Sequence, residues 1–415
     1  MVDAVHCWIP GGVLSRLEKL YNRFVDGRVR EKIYVYIRRR IRTKPIEKYR
    51  LDSPSRRMAI GRRVRIRGCE PRGVGYFKGK VLVAGKDWRL RRGAVWSVSL
   101  RTGDIERLYV SPAKTPLRTV SPTSEGTCVI SGYSEAVVTE DGEEFEPIKG
   151  LRGVSTWSIT ELDGEIYLGE YGPRQRIFRS VDGGHSAEAV IALSDVLPDD
   201  HIHTILAIPP HDVFIVNQGD HPVRTLLTDR HFRKLRVIDG SSLTGAIFYP
   251  PDRAFFGLDG PVAGIAVYRI VKAQRGDVGI RREFIAICPY RGRVDMVFSV
   301  CSLPDGRITT GSLDGFLGYS DDGLHFHFAP LTSFSISQVA PGPSALYVAC
   351  CLRDGGLGAL FEIPSSALIW KSERYLWWLP MEADALEEGI LVPDVWNGKL
   401  LVKELDLKNA PRERR

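Results

Sequence analysis

Several features that would place a chain quickly are missing from this one. Its seven cysteines lie at positions 7, 69, 128, 288, 301, 350 and 351 without a Cys-x-x-Cys pair, which argues against a zinc ribbon or a dithiol redox motif. There is no P-loop and no His-Glu-x-x-His motif, and Arg72-Gly-Val-Gly75 is too short for a dinucleotide fingerprint and precedes no helical pattern, so nucleotide chemistry is not expected. No run of 18 uncharged apolar residues occurs, so no membrane span is expected. The first ten residues lack a basic stretch followed by a long apolar one, so a standard export signal is not expected and the chain reads as cytoplasmic. Asn, Gln and Met number only four each while Arg and Glu abound, a bias resembling hyperthermophile proteins, in which intracellular disulfides occur. Cys350 and Cys351 are neighbours on an expected strand, on opposite faces, and read as buried thiols.

What is present begins with an uneven charge. Of the formal net +8, residues 1–67 carry 19 Lys/Arg against 6 Asp/Glu, or +13, leaving −5 for the remainder. Within that segment, residues 13–42 predict a helix: Leu14, Leu17, Leu20, Tyr21, Phe24 and Val25, then Val29, Ile33, Ile37 and Ile41, recur at helical spacing among arginines and lysines. Such a basic amphipathic arm suits an anionic membrane surface, making the chain peripheral at the inner membrane face, or packs its apolar stripe on the rest of the molecule. Nucleic acid is not expected, because the surplus charge is confined to the arm and no recognition fold is evident. Residues 43–67, with Pro45 and Pro54, read as a linker leading into a first strand.

From residue 68 the texture changes to short β-rich runs, and one turn recurs among them. Its copies are Thr139-Glu-Asp141-Gly142, Ser180-Val-Asp182-Gly183, Thr228-Asp229-Arg-His-Phe232 and Ser320-Asp-Asp322-Gly323. A hydroxyl residue and an Asp can bond nearby backbone N–H groups, and Gly permits a positive φ. These turns resemble the Asp-box, or BNR repeat, of sialidases and related β-propellers. The hydroxyl positions lie 41, 48 and 92 residues apart, and 92 is twice 46, so one intervening unit has lost its box. A period in the forties with four strands per unit is a propeller period.

The expected fold is therefore all-β, a seven-bladed β-propeller with an N-terminal basic helical arm; six or eight blades fit less neatly. The expected blades are 73–110, 117–148, 155–193, 201–238, 242–287, 295–331 and 333–363, inside a propeller of residues 68–363. Residues 1–67 form the arm and linker, and residues 364–415 are expected to supply closing strands or a cap, because a propeller must join its first and last blades.

In such a blade the box turns lie on one face of the disc, and the loops between second and third strands lie on the other. The box-free face gathers Trp88, Tyr133, Glu170, Tyr171, Arg174, His201, His203, Asn217, Asp220, His221, Asp259, Asp314 and Arg353 around the central depression. Carboxylates serve as general acid and base, aromatic rings stack on sugars, and Arg binds acidic groups bidentately. Glu170, Tyr171, Asp220, Asp259 and His203 are the catalytic candidates. Arg174, His201, Asn217, His221, Asp314, Trp88 and Arg353 are the substrate-binding ones. His201 and His203, two apart on a strand, face the same way and with Asp220, His221 or Asp259 could hold a divalent metal; otherwise no cofactor is expected.

Residues 150–330, with Gly169-Glu170-Tyr171-Gly172, His201-Ile-His203, Gly219-Asp220 and Gly257-Leu-Asp259, look like the central part of Asp-box proteins of the sialidase-like and glycosyl-hydrolase-like kind. That resemblance implies an acidic glycan as ligand and a hydrolase-like activity. Sialidases carry a Phe/Tyr-Arg-Ile-Pro motif early in the propeller; here Tyr268-Arg-Ile-Val271 comes late and lacks the Pro. A non-catalytic scaffold binding a protein or glycan, and a metal-assisted polysaccharide lyase using His203 and Tyr171, are the alternatives.

Overall fold

The computed structural model describes residues 60–195, 201–219, 223–239, 242–259, 264–272, 278–288, 296–332, 334–352 and 357–368, with the pairs 376–377 and 403–404. The basic arm, residues 13–42, lies outside them. Seven antiparallel sheets form, six of them running in sequence order from an inner to an outer strand and the seventh completed by a strand from the start of the described chain. Their inner strands are Cys69–Phe77, Leu117–Pro122, Thr156–Leu162, Ile202–Ile208, Leu243–Tyr249, Val297–Ser302 and Ser335–Pro341, which define blades one to seven. This is a seven-bladed β-propeller, and among the described residues the only helical turns are short 3-10 ones such as Leu193–Asp195.

The second and third strands are buried on both faces because blades stack face to face. The second strand of blade three, Glu165–Glu170, keeps only its first residue half-exposed, whereas its outermost strand, Glu188–Ala192, is exposed along most of its length. Blade-to-blade contact therefore makes the core a ring of separate clusters, one at each seam. Tyr167, Phe214 and Phe232 fill the seam between blades three and four, and Phe255 and Phe326 fill that between five and six.

All four Asp turns adopt the geometry their residues dictate. Gly142 N donates to Thr139 Oγ1 at 2.8 Å, and Asp141 Oδ1 accepts from the N–H groups of Glu143 and Glu144. Ser180 with Asp182 and Ser320 with Asp322 repeat this arrangement. The fourth turn has no Gly, yet Asp229 Oδ1 still accepts from Arg233 N at 2.7 Å, and Phe232 itself takes φ 56°.

Ring closure departs from expectation. Arg62–Arg67, read from sequence as the end of a linker, is the outermost strand of blade seven, paired antiparallel with Leu357–Pro364. Its period-two pattern buries Val64 and Ile66 against the blade and leaves Arg62, Arg63, Arg65 and Arg67 exposed; the arginines masked the strand signal. Of residues 364–415, expected to supply closing strands or a cap, only 364–368 and two pairs are described. Leu376–Trp377 adds to the outer edge of blade five and Lys403–Glu404 adds beyond it.

A bulge recurs at the same place in all seven inner strands, and it sets the lining of the channel. The unpaired residues are Arg72, Arg118, Trp157, His203, Thr244 with Gly245, Phe298 and Ser337. A bulge inserts a residue and re-aims its side chain. Polar side chains beside the bulges then stitch each blade to the next. Ser158 Oγ accepts from Ile205 N at 2.8 Å and Ser299 Oγ from Val339 N at 3.1 Å. Gln338 Oε1 accepts from Val74 N at 3.0 Å, so the same device spans the seam between blades seven and one.

Candidate functional site at the channel mouth

The bulges bring together residues far apart in sequence. Trp157 of blade three is sandwiched: the Arg118 guanidinium of blade two lies 3.5 Å over its ring, and Tyr171 stacks on it with centroids 3.4 Å apart and planes 10° apart. Arg118 continues the stack to Phe298 of blade six, 4.5 Å away across the channel, and Tyr171 continues it to His201 of blade four at 4.1 Å. Phe298, Arg118, Trp157, Tyr171 and His201 thus form one stack across the channel mouth. Cation–π and aromatic contacts of this kind each contribute roughly 0.5–2 kcal/mol.

The histidines are coupled. His201 Nε2 and His203 Nε2 lie 2.7 Å apart, and His203 Nδ1 lies 3.2 Å from Ser242 Oγ. Burial, together with the nearby His201 and Arg118, pushes His203 down to about 3, so it is neutral at neutral pH and the pair shares one hydrogen bond. Gly219 packs against both rings: a Cβ there would lie 2.5 Å from each Nε2. Among the described residues no group of three or more His, Cys, Asp or Glu is placed to hold a metal.

Arg118 is the least expected member. Its Nη1 donates to Tyr133 Oη at 3.0 Å, and it has no carboxylate partner among the described residues. Burial pushes its pKa down, as does the charge of nearby Arg72, with Tyr133 opposing. The neighbouring Trp157 Nε1 and Arg72 Nε are buried and make no hydrogen bond among the described residues. Each such orphan N–H costs about 1–3 kcal/mol.

Of the sequence candidates, Tyr171, His201 and His203 meet at this stack. Glu170 does not take part as a free carboxylate. It is buried and clamped by Arg176, with Nε to Oε2 at 2.7 Å and Nη2 to Oε1 at 2.8 Å, and Arg176 N also donates to it. Burial opposes ionisation, but these donors hold its carboxyl below the usual range, so it is an anion that cannot serve as a general acid near neutral pH. Arg174 is exposed beside it.

Asn217 is a seam residue, a correction to its reading as a substrate contact. Facing the residue after the bulge, it occupies the register filled by Gly169 in blade three and Gly311 in blade six. There the next blade comes so close that a Cβ on Gly311 would lie 2.3 Å from Ile336 Cγ2. Asn217 fills this position by accepting from Leu243 N at 2.9 Å and donating to Thr225 Oγ1 at 2.8 Å.

Trp88 stands apart on blade one, its ring 4.6 Å from Lys86 Nζ. Asp259 sits where blade five meets blade six, bridging to Met296, and Asp314 is buried in the upper turn of blade six. Asp220, His221 and Arg353 lie outside the described residues. Arg118, Trp157 and Phe298 were missed. The signal that could have found them is the residue just before a small or polar one in each inner strand, as in Arg118-Thr, Trp157-Ser and Phe298-Ser.

Fold and site together define a seven-bladed propeller with an aromatic and guanidinium stack at the mouth of its channel. Among solved structures, the WD40 β-propeller domain of Doa1 aligns with a TM-score of 0.51 and 15% identity, over 75% of this chain and all of that one. A chain of the Mitotic Checkpoint Complex aligns with a TM-score of 0.51 and 11% identity, over 76% and 98%. Hydrazine synthase of Kuenenia stuttgartiensis aligns with 0.53 and 11%, over 73% and 97%. At these identities the shared property is the propeller fold. No protein-family model matches the sequence, and no curated protein matches it.

Proposed function

We propose that this chain is a recognition propeller, which binds an acidic glycan at the channel mouth and does not cleave it. The observation that carries this reading is the stack itself. It offers aromatic and imidazole edges to a sugar and a guanidinium, Arg118, that no described carboxylate neutralises. The resemblance of residues 150–330 to the sialidase-like group is what suggests a sugar as ligand; the four Asp turns are structural and lie on the other face. Most glycoside hydrolases use two opposed carboxyl groups about 5–9 Å apart, one able to give up a proton. Glu170, the first candidate, is instead committed to Arg176. In this reading the basic arm, residues 13–42, holds the propeller on an anionic membrane surface at the cytoplasmic side. Among the described residues no helix is long and apolar enough to cross a membrane.

The test is a glycan-binding screen of the full chain, with parallel reducing-end and unsaturated-product assays run with and without chelator. Binding of uronic-acid or sialic-acid glycans, weakened at least ten-fold in Tyr171→Ala and with no product formed, is the expected result. Product formation lost in His203→Ala would overturn recognition in favour of catalysis.

A further inference from the structure

Three consecutive inner-strand bulges present side chains that can only donate. Arg72, Arg118 and Trp157 belong to blades one, two and three, and indole and guanidinium N–H groups have no acceptor capacity. Arg72 and Arg118 lie close enough for their charges to interact, and Arg118 lies 3.5 Å over the Trp157 ring. Glu70 neutralises Arg72. Among the described residues Arg118 has the Tyr133 hydroxyl and no carboxylate as partner. Its Cζ lies 3.5 Å from the Trp157 ring centroid and 4.5 Å from that of Phe298, and the N–H groups along a guanidinium's edge are the ones that bind a carboxylate or phosphate two at once. A water could satisfy one orphan N–H but would leave the positive charge unmatched.

We infer that this wall of the channel is an oxyanion site, in which the Arg118 guanidinium, the Arg72 Nε–H and the Trp157 Nε1–H hold one carboxylate or phosphate group. The site deepens the recognition reading, on which it rests for the identity of its natural occupant: the acidic group of the glycan is what enters it. The chemistry is the same for a free phosphate ion, and the experiment separates the two.

Full-length, ¹⁵N-labelled protein is titrated with sodium glucuronate or sodium phosphate, against sodium chloride at equal ionic strength. The indole N–H resonance of Trp157 is assigned by its loss in Trp157→Phe. A saturable downfield movement with glucuronate, absent with chloride, is expected, with affinity by calorimetry at least ten-fold weaker in Arg118→Met. Because the resonance is read in the wild-type protein, a variant that misfolds does not shield the proposal. No movement with either oxyanion, or equal movement with chloride, overturns it. Movement with phosphate and not glucuronate supports the site and removes the glycan as its occupant. A glycan that binds wild type and Arg118→Met equally well overturns the site while leaving glycan recognition standing.

Discussion

Two arginines at different seams, Arg230 between blades three and four and Arg118 between blades two and three, show how differently one residue type is used. On the lower face, Arg230 donates to Asp163 at 2.8 Å and also pairs with Glu165 and Asp212. Glu165 in turn binds Arg179 and the Tyr167 hydroxyl. Hydrogen bonds from Arg179 first, and from Tyr167 and Arg230 against a partial burial cost, hold Glu165 down at about 2, and the same contacts raise Arg230. A cavity of about 190 Å³ opens beside this network. At the channel mouth Arg118 has aromatic faces, a phenol and no described carboxylate, and its pKa is pushed the other way, by burial first. A guanidinium surrounded by carboxylates is fastening blades together; one held between rings, with no carboxylate partner among the described residues, is what the proposed recognition site would use.

The comparison breaks most visibly at Glu165. Glu165→Ala strands two arginines and a phenol and is expected to destabilise by about 3 kcal/mol, somewhat discounted from a fully buried pair; urea unfolding checks it. Since the folded pKa of Glu165 lies below its unfolded value, its contribution is present above about pH 4.5 and lost as pH falls toward 2. The gap between wild type and Glu165→Ala should close over that window. Glu170→Gln weakens the Arg176 clamp and is expected to cost about 2 kcal/mol, with glycan affinity unchanged within two-fold. A large loss of affinity at unchanged stability would instead return Glu170 to the site.

His203 gives the next effect. Its folded pKa of about 3 lies below the unfolded value near 6.5, so the folded state resists a proton that the unfolded state accepts. Its contribution is full above pH 6.5 and is lost as pH falls toward 3, with a slope of at most about 1.4 kcal/mol per pH unit. His203→Gln should flatten the stability profile across that interval, read by thermal unfolding at stepped pH. Smallest is Arg118→Met. Replacing a half-buried cation that has no carboxylate partner among the described residues with an apolar chain of similar length is expected to change stability by no more than about 0.5 kcal/mol, or to raise it. A loss above about 2 kcal/mol would make Arg118 a fastening like Arg230 and end the contrast.

Much of the architecture was legible because it is repeated. Asp141, Asp182, Asp229 and Asp322 act within four or five residues of themselves, so a local pattern sufficed to announce four turns and, through their spacing, seven blades. Arg62–Arg67 was not legible. Its partner, Leu357–Pro364, lies some 300 residues away, and its arginines resemble those of the arm before it.

The site divides along the same line. Sequence by itself determined the fold class, the Asp turns and the gathering of Tyr171, His201 and His203 on one face, because the order of strands and turns within a blade is a short-range property; the bulge at His203, which breaks strand alternation there, was not legible. Only the tertiary structure decided that Glu170 belongs to Arg176, that Asn217 fastens a seam, and that Arg118, Trp157 and Phe298 cross the channel together. Each of those outcomes depends on which groups the closed ring brings within hydrogen-bonding or stacking distance, and on how far their burial leaves a charge unmatched.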